Sequence, residues 1–286
     1  GLRKVGKEKA MQTIPFFKMS GAGNDFVVLD NRLGQVKGDL NAFSAAVADR
    51  KRGIGGDGVL LVEPSPRKHF RMRYFNADGS EADMCGNGGR CIARFANVIG
   101  AAPLAMEFEN LAGDFKAQVL ADGQVDLQMT LPHSMKLDWD VEVEGKTVHG
   151  HFLNTGVPHF VVPVDDVEAV DVFSLGKALR HHPAFAPKGT NVNFVQVTGP
   201  SSVSVRTYER GVEDETLACG TGSVAAAILM ARAGKVAAPV AVRTHGGDTL
   251  SISFKLAGDA ASEVFLKGQA EVTFTGALEL NRYQKS

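Results

Sequence analysis

Residues 82–91 read ADMCGNGGRC and residues 216–225 read TLACGTGSVA. Each carries Cys-Gly-x-Gly, and the two motif cysteines stand 219 − 85 = 134 residues apart. The same offset pairs Tyr74 with Tyr208, Glu81 with Glu215, Gly86 with Gly220 and Gly88 with Gly222. Farther out it lays Gly113 and Asp114 on Gly247 and Asp248, and Phe26, Val27 and Val28 on Phe160, Val161 and Val162. One such match is chance in a chain this rich in Gly and Val, but a register held over most of each half signals an internal repeat. Two homologous halves are expected.

Within each half, period-two or continuous apolar runs dominate: DFVVLD, VLLVE, FRMRYF, FKAQVL and VDLQM, then HFVVPV, NFVQV, VSVRTY and LSISF. These read as strands. Helical patterning is confined to Leu40–Arg50, Arg90–Val98 and Val224–Ala233, the last stopped by Gly234. Each half is therefore an α/β (α+β) unit, a sheet with a few helices. The boundary falls near LPHSMKLDWD (131–140), where Pro132 interrupts and the strand patterning lapses. That gives halves of residues 11–130 and 131–273, with a tail, 274–286, packing back on the first. Residues 1–10, basic and without an apolar segment, read as a leader or tag ahead of Met11.

The 286 residues carry 31 Lys and Arg against 32 Asp and Glu, spread along the chain, so nothing points to nucleic acid or a membrane surface as partner. Hydrophobic residues make up 44%, and no stretch of about 18 apolar residues occurs, which fits a soluble globular protein with a small-molecule ligand. An odd count of three cysteines without a signal peptide argues for a reducing compartment, the cytoplasm by default. Their spacing, six residues from Cys85 to Cys91 and then a jump to Cys219, lacks the clustered ligands of a zinc site, so no metal is expected.

Both Cys-Gly-x-Gly turns run into an apolar helix, Cys91-Ile-Ala-Arg-Phe-Ala in one half and Val224-Ala-Ala-Ala-Ile-Leu in the other. Glycines there let a ligand approach the backbone, and the unpaired amides of a first helical turn bind an anion such as a carboxylate. The same positive helix end is expected to lower a thiol pKa toward neutrality. An isolated free cysteine is ordinarily a small buried hydrophobe, and Cys91 is read so. Cys85 and Cys219 differ, because two related domains each offer one thiol in one local context, facing each other across a cleft. Two thiols aimed at one point suit inversion of an amino-acid α-carbon: a thiolate takes the proton from one face while a thiol delivers one to the other. Hydrogen bonds and helix dipoles around the substrate carboxylate hold the carbanion, and the reading needs no cofactor.

At these residues the chain resembles the diaminopimelate epimerases, through GAGNDFVVLDN (21–31), FNADGSEADMCGNGGRC (75–91), GVPHFV (156–161) and YERGVEDETLACGTGSVAA (208–226). The match runs from about Met11 to the C-terminus. The resemblance implies two pseudo-symmetric domains, each a mostly antiparallel sheet wrapped around a central helix, with the active site in the interdomain cleft. It implies a cofactor-independent isomerase, commonly a homodimer, that interconverts LL- and meso-diaminopimelate for lysine and cell-wall synthesis. Cys85 and Cys219 become the acid/base pair, assisted by His159 and Glu209. Gly86, Asn87, Gly220 and Thr221 then surround the reacting centre, and Asn24, Asn76, Asn191, Glu209 and Arg210 contact substrate. Local sequence alone would make Asn24 and Asn76 turn residues, Glu209 and Arg210 a solvated ion pair, and His159 a structural histidine; the family match reverses those readings. Two positions depart from the family pattern. Val157 stands where many members carry Asn, leaving Asn154 or water to make up for it, and Gly58 stands where some carry Gln.

Three rival readings are weaker. Proline racemases and hydroxyproline epimerases share the two-cysteine logic, but their first motif usually reads Cys-Gly-His-Gly where this chain has Asn87, and proline does not need so many polar anchors. Gly53-Ile-Gly-Gly-Asp-Gly58 satisfies the dinucleotide fingerprint G-x-G-x-x-G, yet a helical stretch precedes it and a strand follows, so it reads as a helix end and turn. A non-catalytic amino-acid-binding relative would be free to lose a cysteine, and both are present.

Overall fold

The computed structural model describes residues 12–284; the leader expected at residues 1–10 lies outside them. The first half runs β1 (Thr13–Gly21), β2 (Asn24–Asp30), α1 (Leu40–Ala48), β3 (Gly58–Glu63), β4 (Phe70–Asn76), β5 (Glu81–Ala82) and α2 (Gly86–Val98). β6 (Ala105–Asn110), β7 (Gly113–Val119) and β8 (Val125–Gln128) complete it. The second half opens with β9 (His133–Val143) and repeats the order with β10 (Lys146–Asn154), β11 (Pro158–Pro163), α3 (Val172–Arg180), β12 (Asn191–Gly199), β13 (Ser202–Glu209), β14 (Asp214–Thr216) and α4 (Gly220–Arg232). β15 (Val240–Thr244), β16 (Thr249–Ala257) and β17 (Ala260–Gly268) follow, then β18 (Glu271–Glu279) and the short α5 (Leu280–Tyr283).

The strands join into one 18-stranded sheet whose pairing is palindromic. At its middle β8 pairs with β17. Outward from there the order is β7, β6, β4, β3, β2, β1 on one arm and β16, β15, β13, β12, β11, β10 on the other. β9 closes the second arm against β10, and β18 closes the first against β1, with Thr13 opposite Glu279. Among the described strands, only β2 with β3, β4 with β6, β11 with β12, and β13 with β15 run parallel, and each such pair is bridged by a helix, as a parallel crossover requires.

Side-chain alternation sorts those helices. In β2, Phe26 and Val28 face α2, packing with Ile92 and Phe95, while Val27 and Leu29 face α1, packing with Phe43 and Val47. α1 is started by Asp39, whose carboxylate accepts the Ala42 N–H at 3.0 Å. α4 is apolar all round, and Val224 to Met230 are wholly buried, which suits a helix enclosed by its own sheet. α2 and α4 share one core, so the inner faces of both halves are a single hydrophobic unit.

The 134-residue register holds in the inner helices: Cys85 and Cys219 are both N-caps, and α2 and α4 are both 13 residues long. It fails in strands. Phe26 and Val28 face the inner core, but Phe160 and Val162 face α3, and Val161 takes the inner position. The β1–β2 hairpin sets Gly21 opposite Asn24, whereas the β10–β11 hairpin sets Asn154 opposite Pro158, one residue more, and a one-residue slip turns a strand over. Likewise Asn110 faces Gly113, but Thr244 bonds Asp248, so Gly113 corresponds to Asp248 rather than Gly247. Two boundaries also move. α2 and α4 start at Gly86 and Gly220, ahead of their apolar runs, and LPHSMKLDWD is largely β9, whose alternation of exposed and half-buried residues has too few apolar members to register.

Candidate active site

Helices α2 and α4 meet at their N-termini, so close that a Cβ on Gly220 would stand 3.8 Å from Asn87 Oδ1. Between them lies a pocket of about 260 Å³ walled by Cys85, Gly86 and Asn87 from one helix end and Cys219, Gly220 and Thr221 from the other. Asn24 and Asn76 from the first half and Asn191, Glu209 and Arg210 from the second supply its remaining polar wall. Of the candidate catalytic and substrate-binding residues, only His159 is absent from that wall; it is fully buried behind Thr221.

The two thiols are half-buried and differently supported. Cys85 caps its own helix, its Sγ accepting the Gly88 N–H at 3.5 Å. Cys219 makes no such cap; its Sγ stands 3.6 Å from Thr221 Oγ1. Behind the threonine, His159 Nε2 lies 3.0 Å from Thr221 Oγ1, and His159 Nδ1 lies 3.0 Å from Asn193 Nδ2. That asparagine nitrogen also reaches the Phe160 carbonyl at 3.5 Å, which only an N–H does, and Asn193 Oδ1 accepts the Thr207 hydroxyl at 2.9 Å. His159 Nδ1 is thereby an acceptor, Nε2 carries the proton and donates to Thr221, and the threonine hydrogen is left to point at Cys219. Burial, with Arg210 nearby, pushes the histidine pKa down to about 3 and keeps the ring neutral. Gly222 is required for this assembly, because a Cβ there would strike Asn193 Oδ1 and stand 3.3 Å from Cys219 Sγ.

The expectation that helix ends lower both thiol pKa values is overturned. Burial pushes both up, Cys219 to about 12, and Glu209 adds to the rise. Backbone N–H groups of Asn87 and Gly88 at Cys85, and of Gly222 at Cys219, oppose burial without offsetting it. Glu209 is itself raised by burial, its one hydrogen bond coming from Thr216 Oγ1 at 2.8 Å.

The asparagines of the wall are fixed by neighbours. Asn24 Oδ1 accepts from Asn87 Nδ2 at 2.7 Å and Asn24 Nδ2 donates to Asp57 at 3.0 Å. Asn87 Oδ1 in turn accepts from Arg90 at 2.9 Å. Arg90 is fully buried, donates also to the carbonyls of Gly86 and Gln269, both at 3.3 Å, and has no carboxylate partner among the described residues. Asn191 Oδ1 accepts the Arg210 N–H at 2.8 Å, and its Nδ2 donates to the Pro158 carbonyl at 2.9 Å, so it shapes two loops at once. The Arg210 side chain donates only to the Lys188 carbonyl, at 3.5 Å, and forms no ion pair with Glu209 among the described residues, which leaves it a free cation facing the pocket. Val157 lines the wall as expected, but Asn154 does not stand in for the missing asparagine: its Oδ1 holds the Gly156 N–H at 2.9 Å, away from that wall.

Sequence reasoning missed Asn193, Thr207, Arg90 and Tyr74. The signal was present in the first three, polar groups at positions whose neighbours point into an apolar core. The Gly53–Gly58 stretch is a helix exit, the Gly53 N–H bonding the Asp49 carbonyl at 2.8 Å, and its Asp57 supports Asn24. Away from the pocket, Asp138, His149 and His151 bring ligand atoms within 4.8 Å of one another, but His151 Nδ1 already accepts the Asp138 backbone N–H at 3.0 Å. No described helix is long and apolar enough to cross a membrane.

Comparison with known proteins meets the same residues. The family pattern described as Diaminopimelate epimerase matches residues 16–134 and 151–273. A diaminopimelate epimerase of Aquifex aeolicus is 46% identical over 92% of this chain and 97% of its own length. That of Chlorobaculum tepidum is 43% identical over 92% of this chain and 100% of its own length. Among solved structures, a Bacillus anthracis phenazine biosynthesis protein of the PhzF family superposes with a TM-score of 0.69 at 16% identity, over 94% of this chain and 99% of that one. A hydroxyproline epimerase from Agrobacterium vitis superposes with a TM-score of 0.68 at 18% identity, over 95% and 94%. At such identities the structures share the two-domain repeat fold and nothing finer, while the sequence matches run the length of the chain and through both cysteine motifs: the chain belongs to the diaminopimelate epimerase family.

Proposed function

We propose that this protein interconverts LL- and meso-diaminopimelate, with Cys85 and Cys219 as base and acid on opposite faces of one α-carbon. The observation that carries the reading is the meeting, at one pocket, of two helix N-termini with a cysteine at each N-cap position. One sulfur, as thiolate, takes the α-proton and becomes a thiol. The C–H electron pair passes to the α-carbon and into its carboxylate, which the first-turn amides of α2 and α4 stabilise as charge develops. The opposite thiol then gives its proton to the other face and is left as the thiolate. When Cys219 carries the charge, the Thr221 hydroxyl donates to it, backed by His159; when Cys85 does, the Gly88 N–H donates. An ionised Glu209 disfavours a thiolate at either sulfur, and Arg210 meets a substrate carboxylate. On this reading His159 steadies the Cys219 thiolate through Thr221, Glu209 helps keep the acid partner protonated, and Asn24, Asn87 and Asn191 hold the wall that binds substrate.

The same reading divides the chain at about residues 11–130 and 131–273, with the C-terminal tail returning to the first half. It places the enzyme in the cytoplasm as a homodimer acting in lysine and peptidoglycan-precursor synthesis, and it uses no cofactor or metal. Incubation with LL-diaminopimelate and, separately, L-proline in deuterated water tests it. Deuterium should enter at Cα of diaminopimelate; incorporation into proline alone would favour a proline racemase instead.

A further inference from the structure

At Gly58 the side chain of Tyr74, which lines the pocket, occupies the space that a side chain on position 58 would take. A Cβ on Gly58 would stand 2.6 Å from the Phe75 carbonyl oxygen and 2.7 Å from Tyr74 Cε2, so the phenol ring lies where a longer residue would have to start. An edge-on contact with Phe26, centroids 6.0 Å apart, holds the ring there. The repeat does not dictate this placement: Tyr208, at the matching sequence position, is buried against Gly176 and Phe173 of α3.

Tyr74 lines the pocket, and its hydroxyl donates to Asn76 Oδ1 at 2.9 Å. That bond decides which way the Asn76 amide faces. Its oxygen is turned to the tyrosine, and its NH2 group points to Ser80 Oγ at 3.1 Å, an acceptor because the serine hydrogen goes to Asp78 at 2.6 Å. One Asn76 N–H and the tyrosine lone pairs are left for a ligand. Burial, with Cys85 beside it, pushes the phenol pKa far up, so Tyr74 stays a neutral hydroxyl.

We infer that Tyr74 determines specificity for the second amino-acid group of the substrate, its oxygen accepting from that group's ammonium while the Asn76 amide it orients donates to that group's carboxylate. The inference rests on the epimerase reading. Under that reading the helix ends meet the reacting carboxylate, and Tyr74 and Asn76 on β4 form a stretch of wall with no helix amides.

Tyr74→Phe removes the hydroxyl and keeps the ring. α-Proton exchange is measured for wild type and variant with diaminopimelate and with 2-aminopimelate, which lacks the distal ammonium. The variant is expected to raise KM for diaminopimelate about tenfold with kcat little changed, the loss of about one hydrogen bond, and to lose about the same factor of preference over 2-aminopimelate. Alkylation profiles of Cys85 and Cys219 should not move. An unchanged preference overturns the inference, and so does an equal loss of kcat on both substrates with displaced thiol profiles, which would put Tyr74 in the proton chemistry. If wild type fails to exchange diaminopimelate at all, the epimerase reading falls and this inference with it; failure confined to the variant sinks the inference alone.

Discussion

Thr221→Val isolates the hydrogen-bond relay behind Cys219. Valine keeps the shape of threonine but removes the hydroxyl that stands 3.6 Å from Cys219 Sγ and 3.0 Å from His159 Nε2. A hydrogen bond to a charged acceptor contributes about 1.5–3 kcal/mol, so exchange should slow by roughly 10- to 150-fold. The loss must be equal in the two directions, because the variant leaves the equilibrium between the epimers untouched. The Cys219 thiol, already raised to about 12 by burial and Glu209, loses one of the groups that lower it, so its alkylation should shift to higher pH while Cys85 stays put. The His159 N–H is orphaned in the core at a cost of about 1–3 kcal/mol, which should lower the melting temperature. Thr221→Ser restores the hydroxyl and should recover most of the rate. Deuterium exchange at Cα and peptide-resolved iodoacetamide labelling measure both effects. Valine within twofold of wild type, or serine as damaged as valine, would refute the relay.

Glu209→Gln removes the buried carboxylate that adds to the rise of both thiol pKa values, so both should fall. The thiolate fraction below the pKa then grows, and alkylation of both cysteines at fixed pH should speed up; an unchanged rate would remove Glu209 from the thiols' electrostatics. Oxidation of the substrate-free protein should cross-link Cys85 to Cys219, faster at higher pH, with reductant restoring activity and substrate slowing its loss. Cys91 should stay out of the cross-link, since it is fully buried in the core around α2; a peptide map joining Cys91 to either sulfur would mean that Cys85 and Cys219 do not share a site.

The parts of this site that were legible in the sequence are those fixed by local chemistry. Cys-Gly-x-Gly ahead of an apolar run points to a helix N-terminus, and Cys85, Gly86, Cys219 and Gly220, picked out by spacing, all line the pocket. The sheet's core strands were equally visible, because alternation is a property of a few consecutive residues. What stayed hidden depends on tertiary register. Hairpin loops differing by one residue place Phe26 inside and Phe160 outside, and no pairwise match at a constant offset shows that. Nor could the sequence show that His159 donates to Thr221, because that follows from the orientation of the Asn193 amide, set by Thr207 on a neighbouring strand. Tyr74 escaped for the opposite reason: it reads as an ordinary strand aromatic, and only the space over Gly58 gives it another role.

The overturned thiol expectation follows from magnitudes. A helix end contributes typically 0.3–1 kcal/mol and up to about 2 in favourable geometry. Full burial of an ionisable group shifts its pKa by up to about 3–5 units at about 1.4 kcal/mol each. At the α2 and α4 ends burial therefore outweighs the amides, both thiol pKa values stand above the ordinary range, and a thiolate there needs a further positive charge. Arg90 does not provide it fully, since its guanidinium is already shared among Asn87, Gly86 and Gln269. On the proposed reaction the missing charge comes with the substrate, whose α-ammonium enters between the sulfurs. An opposite charge at about 4–6 Å favours the ionised form by about 1–3 units. Ionisation is then coupled to occupancy: the site makes its base mainly when there is a proton to remove.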